Sequence, residues 1–283
     1  MIKTKLNLDY VLFAVATLFF PHAVHAVEEP LFELGVGPGG LVLPDYRGAA
    51  EERGYFIPVI YPIYRGKIFQ LDDEGIHGLL YKWPRAKLDF SGDGSFPVDS
   101  DRIDIREDMP DLDPTFQLGP SLEITLWESD NARQELIFNA ALRGVFAVNS
   151  GIEHIGFTFS PHVTYYRHML PWLDRSWRLG LSGGLEFGDN ELHDYYYSVD
   201  QQFVRADRPL FDADAGYAGT RFTVSFQSIT KKNWISLFAR YDYIDGADFE
   251  DSPLVLKNGS LTAGVVFTWF LWKSKKTADV ERF

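Results

Sequence analysis

The chain of 283 residues has no cysteine. That excludes disulfides, thiolate catalysis and Cys-ligated zinc. It also lacks a basic surplus: 27 Lys and Arg stand against 40 Asp and Glu, for a net charge of −13. A nucleic-acid partner is therefore not expected, because phosphate binding needs a basic surface. Beyond residue 26 no run approaches the ~18 uninterrupted apolar residues of a spanning helix. Yet apolar residues make up 46% of the chain at a mean hydropathy of only −0.14. They are plentiful and diluted everywhere by polar ones. Aromatics reach 16% and glycine numbers 24, a composition that points to sheet and to barrels.

Residues 1–26 read as a secretory signal. Lys3 and Lys5 give the basic start, Tyr10 to Phe20 the apolar run, and Val24-His25-Ala26 the small-residue cleavage pattern. The run is too short to span a bilayer. With no inner-membrane helix expected after it, the mature chain is either a soluble periplasmic protein or a barrel of a Gram-negative outer membrane.

Strict alternation decides between them. Phe116, Leu118, Pro120, Leu122, Ile124 and Leu126 share one face, and Gln117, Gly119, Ser121, Glu123 and Thr125 the other. The pattern recurs over 155–166, 177–187, 221–227 and 261–271. These segments run about ten to fourteen residues, longer than the ~5–6 of a soluble sandwich and suited to a tilted membrane strand. Aromatics such as Trp127, Trp172, Trp177, Tyr241, Tyr243, Trp269 and Trp272 close the segments, as interfacial girdles do. The expectation is an all-β fold: an antiparallel transmembrane β-barrel of about 12 strands, with 10 as the alternative, over residues 27–272. Strands are expected at 31–43, 54–64, 66–72, 76–82, 85–92, 115–127, 133–147, 153–168, 175–187, 213–229, 233–244 and 260–272. An even count puts both termini in the periplasm. The short connections then face the periplasm, and the long ones (43–53, 93–113, 188–212 and 247–259) face outward.

Five segments, in order, resemble the MipA/OmpV family. They are Leu43-Pro44-Asp45-Tyr46-Arg47-Gly48, the Pro- and Tyr-rich strand 57–64, Asp194-Tyr195-Tyr196-Tyr197-Ser-Val199, Phe211-Asp-Ala-Asp-Ala-Gly216, and Ser252-Pro253-Leu-Val after an acidic loop. The resemblance covers the mature chain. It implies an outer-membrane scaffold linking a lytic transglycosylase to a peptidoglycan synthase; other members are described as porin-like or adhesive. No motif residue carries that role over. One departure is the end: members usually stop on an aromatic of the last strand. Here Lys273-Ser-Lys-Lys leads a further stretch to Phe283, taken as a short periplasmic tail, 273–283.

No chemistry is assembled in the pattern. His162 falls on the lumen-facing parity, there is no Gly-x-Ser-x-Gly elbow, and His154 and His168 lie at strand ends. No catalytic residue, metal site or cofactor is therefore expected. The carboxylates of 93–113 and the pair His193-Asp194 read as solvated loops, the former beside divalent-bridged lipopolysaccharide and the lipid of the outer membrane. Glu123, Arg143, His162, Arg178, Glu186, Arg221, Arg240 and Asp242 are the candidate lumen-facing polar residues. They could line a narrow channel or form a salt-bridged plug, and Tyr166 and Phe238 on the same parity lean toward a constricted interior. An outer-membrane acyl hydrolase is the remote third possibility.

Overall fold

The computed structural model describes residues 26–66, 69–72 and 75–281. The expected signal segment thus lies almost wholly outside the described residues. The strands are β1 (Ala26–Pro30), β2 (Phe32–Pro44), β3 (Glu52–Arg65), β4 (Phe69–Asp72), β5 (Gly75–Gly78), β6 (Tyr81–Trp83), β7 (Ala86–Ser95), β8 (Thr115–Glu128), β9 (Gln134–Val148), β10 (Ile152–Trp172), β11 (Arg175–Gly188), β12 (Gly216–Ile229), β13 (Asn233–Tyr243), β14 (Gly259–Lys273) and β15 (Thr277–Glu281). β2 to β14 form one antiparallel sheet in the order β5-β4-β3-β2-β14-β13-β12-β11-β10-β9-β8-β7-β6. The last long strand thus pairs with the first, and the wall comes round on itself where β5 lies alongside β7 without joining its ladder. The expected strand 76–82 is present as two pieces, β5 and β6, broken at Leu79-Leu80. The count of about twelve becomes thirteen for that reason. Gly75 and Gly78 offer no side chains to pack and weaken a continuous strand there.

The apolar parity is the exposed one. Leu118, Leu126, Phe157, Phe159, Leu181, Leu185, Phe222, Val224, Leu261, Val265 and Trp269 stand out from the wall, while Ser121, Ser160, Thr164, Glu186, Asp242, Thr262 and Thr268 are buried inside. An apolar exterior around a polar interior inverts a water-soluble protein and fits hydrocarbon surroundings. All seven tryptophans lie toward the end of the tight hairpins. There Trp177 stacks on Phe226 (ring centroids 4.4 Å apart) and donates Nε1–H to the Trp172 carbonyl. One of those hairpins, β10–β11, turns on Leu173 and Asp174, both with left-handed φ, as a two-residue hairpin of matching twist requires.

The four long connections do not float. Residues 45–51, 96–114, 189–215 and 244–258 fold into one lid across the opposite mouth. Tyr46, Val98, Ile103, Ile105, Leu112, Tyr197, Val199, Ile244, Phe249 and Leu254 are buried together in its core. It holds a helix, α1 (Asn190–Tyr197), whose first turn is capped by Asp189 accepting from Leu192 N–H (3.1 Å). This corrects the expectation of solvated loops. The 93–113 carboxylates are interleaved with Val98, Ile103, Ile105 and Leu112, which turn inward while Asp101, Asp104 and Asp108 stay exposed. His193 sits on α1 and is only 2% exposed.

At the tight-turn end β1 and β15 pair, continuing the β2–β14 ladder through Leu31 N–H to Lys276 O and Ser274 N–H to Phe32 O. Arg65 fixes this ribbon by bridging Glu29 (3.1 Å) and Glu33 (2.8 Å), and Lys273 pairs with Glu33. The 273–281 stretch is therefore structured by its pairing with 26–30.

Candidate functional site

The alternation that turns apolar side chains outward turns charge into the lumen. On β13 that brings in Trp234, Ser236, Phe238, Arg240 and Asp242. Asp242 is 1% exposed and meets three guanidinium groups: Arg221 (2.8 Å), Arg240 (3.1 Å) and Arg47 (3.4 Å). Arg221 also reaches Glu186 (3.0 Å), which accepts from the Ser160 hydroxyl (2.8 Å). Four of the candidate lumen residues, Glu186, Arg221, Arg240 and Asp242, thus join in one network. Buried charges persist only when paired and hydrogen-bonded in this way.

The other candidates make their direct contacts elsewhere. Arg143 donates to Ser91 (3.0 Å) on β7. Glu123 pairs with Lys87 (3.1 Å). Arg178 stands over the Tyr166 ring (5.2 Å). His162 points Nδ1 at the Ser160 carbonyl (3.1 Å), an interaction within its own strand. Among the described residues no three His, Asp or Glu side chains gather as a metal ion would need.

Apolar clusters stand at the two ends of the lumen. Toward the tight-turn end, Tyr61 on β3 stacks on Trp234 (4.0 Å between ring centroids), with Ile63, Val266 and Phe270 packed around them. Toward the other end sits the lid, and Arg47 ties it down: besides Asp242, it donates to the Ala218 carbonyl (2.5 Å). Sequence reasoning missed Arg47 as a lumen residue. Its place between Tyr46 and Gly48 in the Leu43–Gly48 motif was the available signal.

The motif residues meet in the lid. Tyr46 Oη donates to the Leu254 carbonyl (2.7 Å), Ser252 Oγ to the Tyr197 carbonyl (2.6 Å) and Tyr197 Oη to the Arg47 carbonyl (3.0 Å). Gly48 holds a left-handed φ of 95° and accepts from Leu256 N–H (2.8 Å), a conformation glycine adopts without strain. Asp45 pairs with Arg53 across the turn after Pro44 and Leu43. The Tyr195 hydroxyl accepts from Asp113 N–H (2.8 Å), and the Tyr196 carbonyl accepts from Arg106 (3.0 Å), whose guanidinium lies over Tyr46 (5.6 Å). Ser198 Oγ donates to Asp194, while half-buried Pro253 stands between the buried Ser252 and Leu254. Burial raises the phenol pKa of Tyr46 and Tyr197, so both are neutral hydrogen-bond donors at ordinary pH. Segments some 200 residues apart in sequence are thereby clasped at one point.

Such a wall, apolar outside, charged within and capped by its own loops, is that of an outer-membrane β-barrel protein. The chain belongs to the family described as MltA-interacting protein MipA, whose family model matches residues 36–271. No curated protein matches the chain. Among solved structures it is similar to a chain described as "Bacterial polysaccharide outer membrane secretin", at 7% identity and a TM-score of 0.42, covering 86% of this chain and 99% of that one.

Proposed function

We propose that the protein is a non-enzymatic scaffold of the outer membrane, holding a lytic transglycosylase and a peptidoglycan synthase at its periplasmic end. The observation that carries this reading is the lid folded across one mouth of the barrel. The lid over one mouth and the Tyr61–Trp234 stack near the other support a body that displays surfaces rather than one that passes solutes. The family description, MltA-interacting protein, names the kind of partner. In this reading the tight hairpins, the β1–β15 ribbon and both termini face the periplasm, and the lid faces outward among lipopolysaccharide. His162, turned to a backbone carbonyl, favours no hydrolase.

Affinity capture from solubilised envelope tests the scaffold. Recovery of a murein hydrolase and a synthase is expected; recovery of neither would overturn it. A narrow channel is the second reading, favoured by the arginines lining the lumen. Planar bilayers holding folded protein should show no steady conductance, and regular current steps would replace the scaffold with the channel.

A further inference from the structure

The outward face of the wall is apolar along most of its height, but it carries positive charge where β10 to β13 reach the tight hairpins. Parity places that charge. On β10, Phe157, Phe159 and Val163 face outward, and Arg167 shares their side. On β11, Leu181 and Leu185 face outward, and Arg175 shares theirs. Arg167 is exposed and pairs across to Leu179; Arg175 pairs across to Trp172. Trp177 lies between these two levels, its ring against that of Trp172 (5.3 Å). An arginine on a lipid-facing wall is costly unless its head reaches the interface, and a tryptophan belt marks that interface.

Arg175 is fixed in place without being neutralised. Its guanidinium lies over the Trp177 ring (5.9 Å) and donates to Ser228 Oγ (3.1 Å), Ser228 O (3.2 Å) and Asn233 Oδ1 (2.8 Å). All three acceptors are uncharged, and both terminal nitrogens keep an N–H for a ligand. Asn233 belongs to a turn closed by Thr230 Oγ1, which donates to the Asn233 carbonyl (3.1 Å). That turn presents exposed Lys231 and Lys232 beside the arginine. Among the described residues, no carboxylate pairs with Arg167, Arg175, Lys231 or Lys232, Asp174 at the hairpin tip included. Arg65, at the same end of the barrel, has two carboxylates. Next to Arg175 a shallow cleft is lined by Met169, Trp172 and Leu173, an apolar seat against the charge.

We propose that this patch binds an anionic glycerophospholipid, with the phosphate on Arg175 and the acyl chains running up the wall past Leu179 and Phe226. A guanidinium offers paired N–H groups to phosphate oxygens. Arg167, Lys231 and Lys232 add an uncancelled positive field at the headgroup level, which an anionic head matches. A zwitterionic phospholipid brings its own cation and gains less from that field. In the orientation proposed above, this leaflet is the periplasmic one, but the binding itself does not depend on that orientation or on the scaffold role.

The test uses the whole protein, folded in detergent micelles loaded with equimolar phosphatidylglycerol and phosphatidylethanolamine. Mass spectrometry of the intact complex reads which lipid stays bound. Phosphatidylglycerol is expected to be retained severalfold in preference. Arg167→Gln combined with Arg175→Gln should abolish that preference. Lys231→Gln combined with Lys232→Gln, at exposed turn positions, should reduce it in part. Lys275→Gln combined with Lys276→Gln, on the β14–β15 connection, should leave it unchanged. No preference in the unaltered protein would overturn the site. So would a preference that survives both patch variants, or one that falls as far in the Lys275 and Lys276 control, which would mean diffuse charge rather than a site. Folding of each variant is checked by heat-modifiable migration. If Arg175→Gln does not fold, Arg167→Gln combined with the Lys231 and Lys232 changes carries the same test.

Discussion

Tyr197 shows what a single side chain carries in the lid. Its ring stacks on Phe249 at 3.7 Å, its hydroxyl holds the Arg47 carbonyl, and its own carbonyl accepts from Ser252. Tyr197→Phe keeps the stack and loses one buried hydrogen bond, about 1 kcal/mol. Tyr197→Ala should cost about 3–5 kcal/mol, as a large ring leaving a packed core does. Limited proteolysis at the exposed 200–210 segment should show the alanine variant cut well before the phenylalanine one. His193 sets a pH dependence in the same core. Its Nδ1 donates to the Asp214 carbonyl (2.6 Å); burial lowers its pKa, against smaller opposing pulls from that hydrogen bond, Asp248 and Asp189, while Arg47 also lowers it. The unfolded lid therefore binds a proton that the folded lid resists. The contribution is complete above about pH 6.5 and is lost as pH falls below it. Proteolysis of the lid should accelerate as pH falls below about 6.5, and His193→Gln should flatten that dependence.

At the scale of elements, the junction of barrel and lid rests on one irregularity. β10 runs in even register with β9 except between His154 and Gly156, where a bulge lets Gly156 take a φ of 124°. A Cβ there would collide with Asp189 Oδ1, the cap of α1. The bulge also turns Ile155 inward to join Val145 and Ala147 beneath Leu192 and Tyr195. Gly156→Ala should cost about 1–3 kcal/mol through backbone strain alone and shift α1. The expected readout is faster hydrogen exchange over 189–198 with the wall unchanged. Strand periods made β8, β10, β11 and β14 legible beforehand, because each carries ten or more residues of alternation. The stretch 66–92 was not, since its pieces are short and glycine breaks the period. The lid was misread for a related reason: Ile103, Ile105 and Leu112 follow no regular period among the carboxylates, and a loop core leaves no pattern.

On the scale of the whole molecule, Asp242 is the point where barrel and lid are charge-locked. Asp242→Asn leaves Arg47, Arg221 and Arg240 facing one another with a partner missing, and breaking such a buried arrangement costs about 3–5 kcal/mol. The folded form should lose its heat-modifiable migration at a lower temperature. The added substitution Arg240→Gln should recover part of that loss, by removing one unpaired charge. If Asp242→Asn is neutral, the lock is not what holds the lid. The candidate lumen residues could be named from parity alone. That four of them form one ion-paired network with Arg47 depends on register between strands distant in sequence.

The sequence alone determined the antiparallel, membrane-facing wall, because period-two alternation and long aromatic-ended strands are local properties of a chain in hydrocarbon. It also marked the family motifs without explaining them. Only the tertiary structure decided that those motifs clasp a lid, and that the core of this lid covers one mouth of the barrel. Each of these rests on contacts between residues far apart in the chain, which no local period encodes.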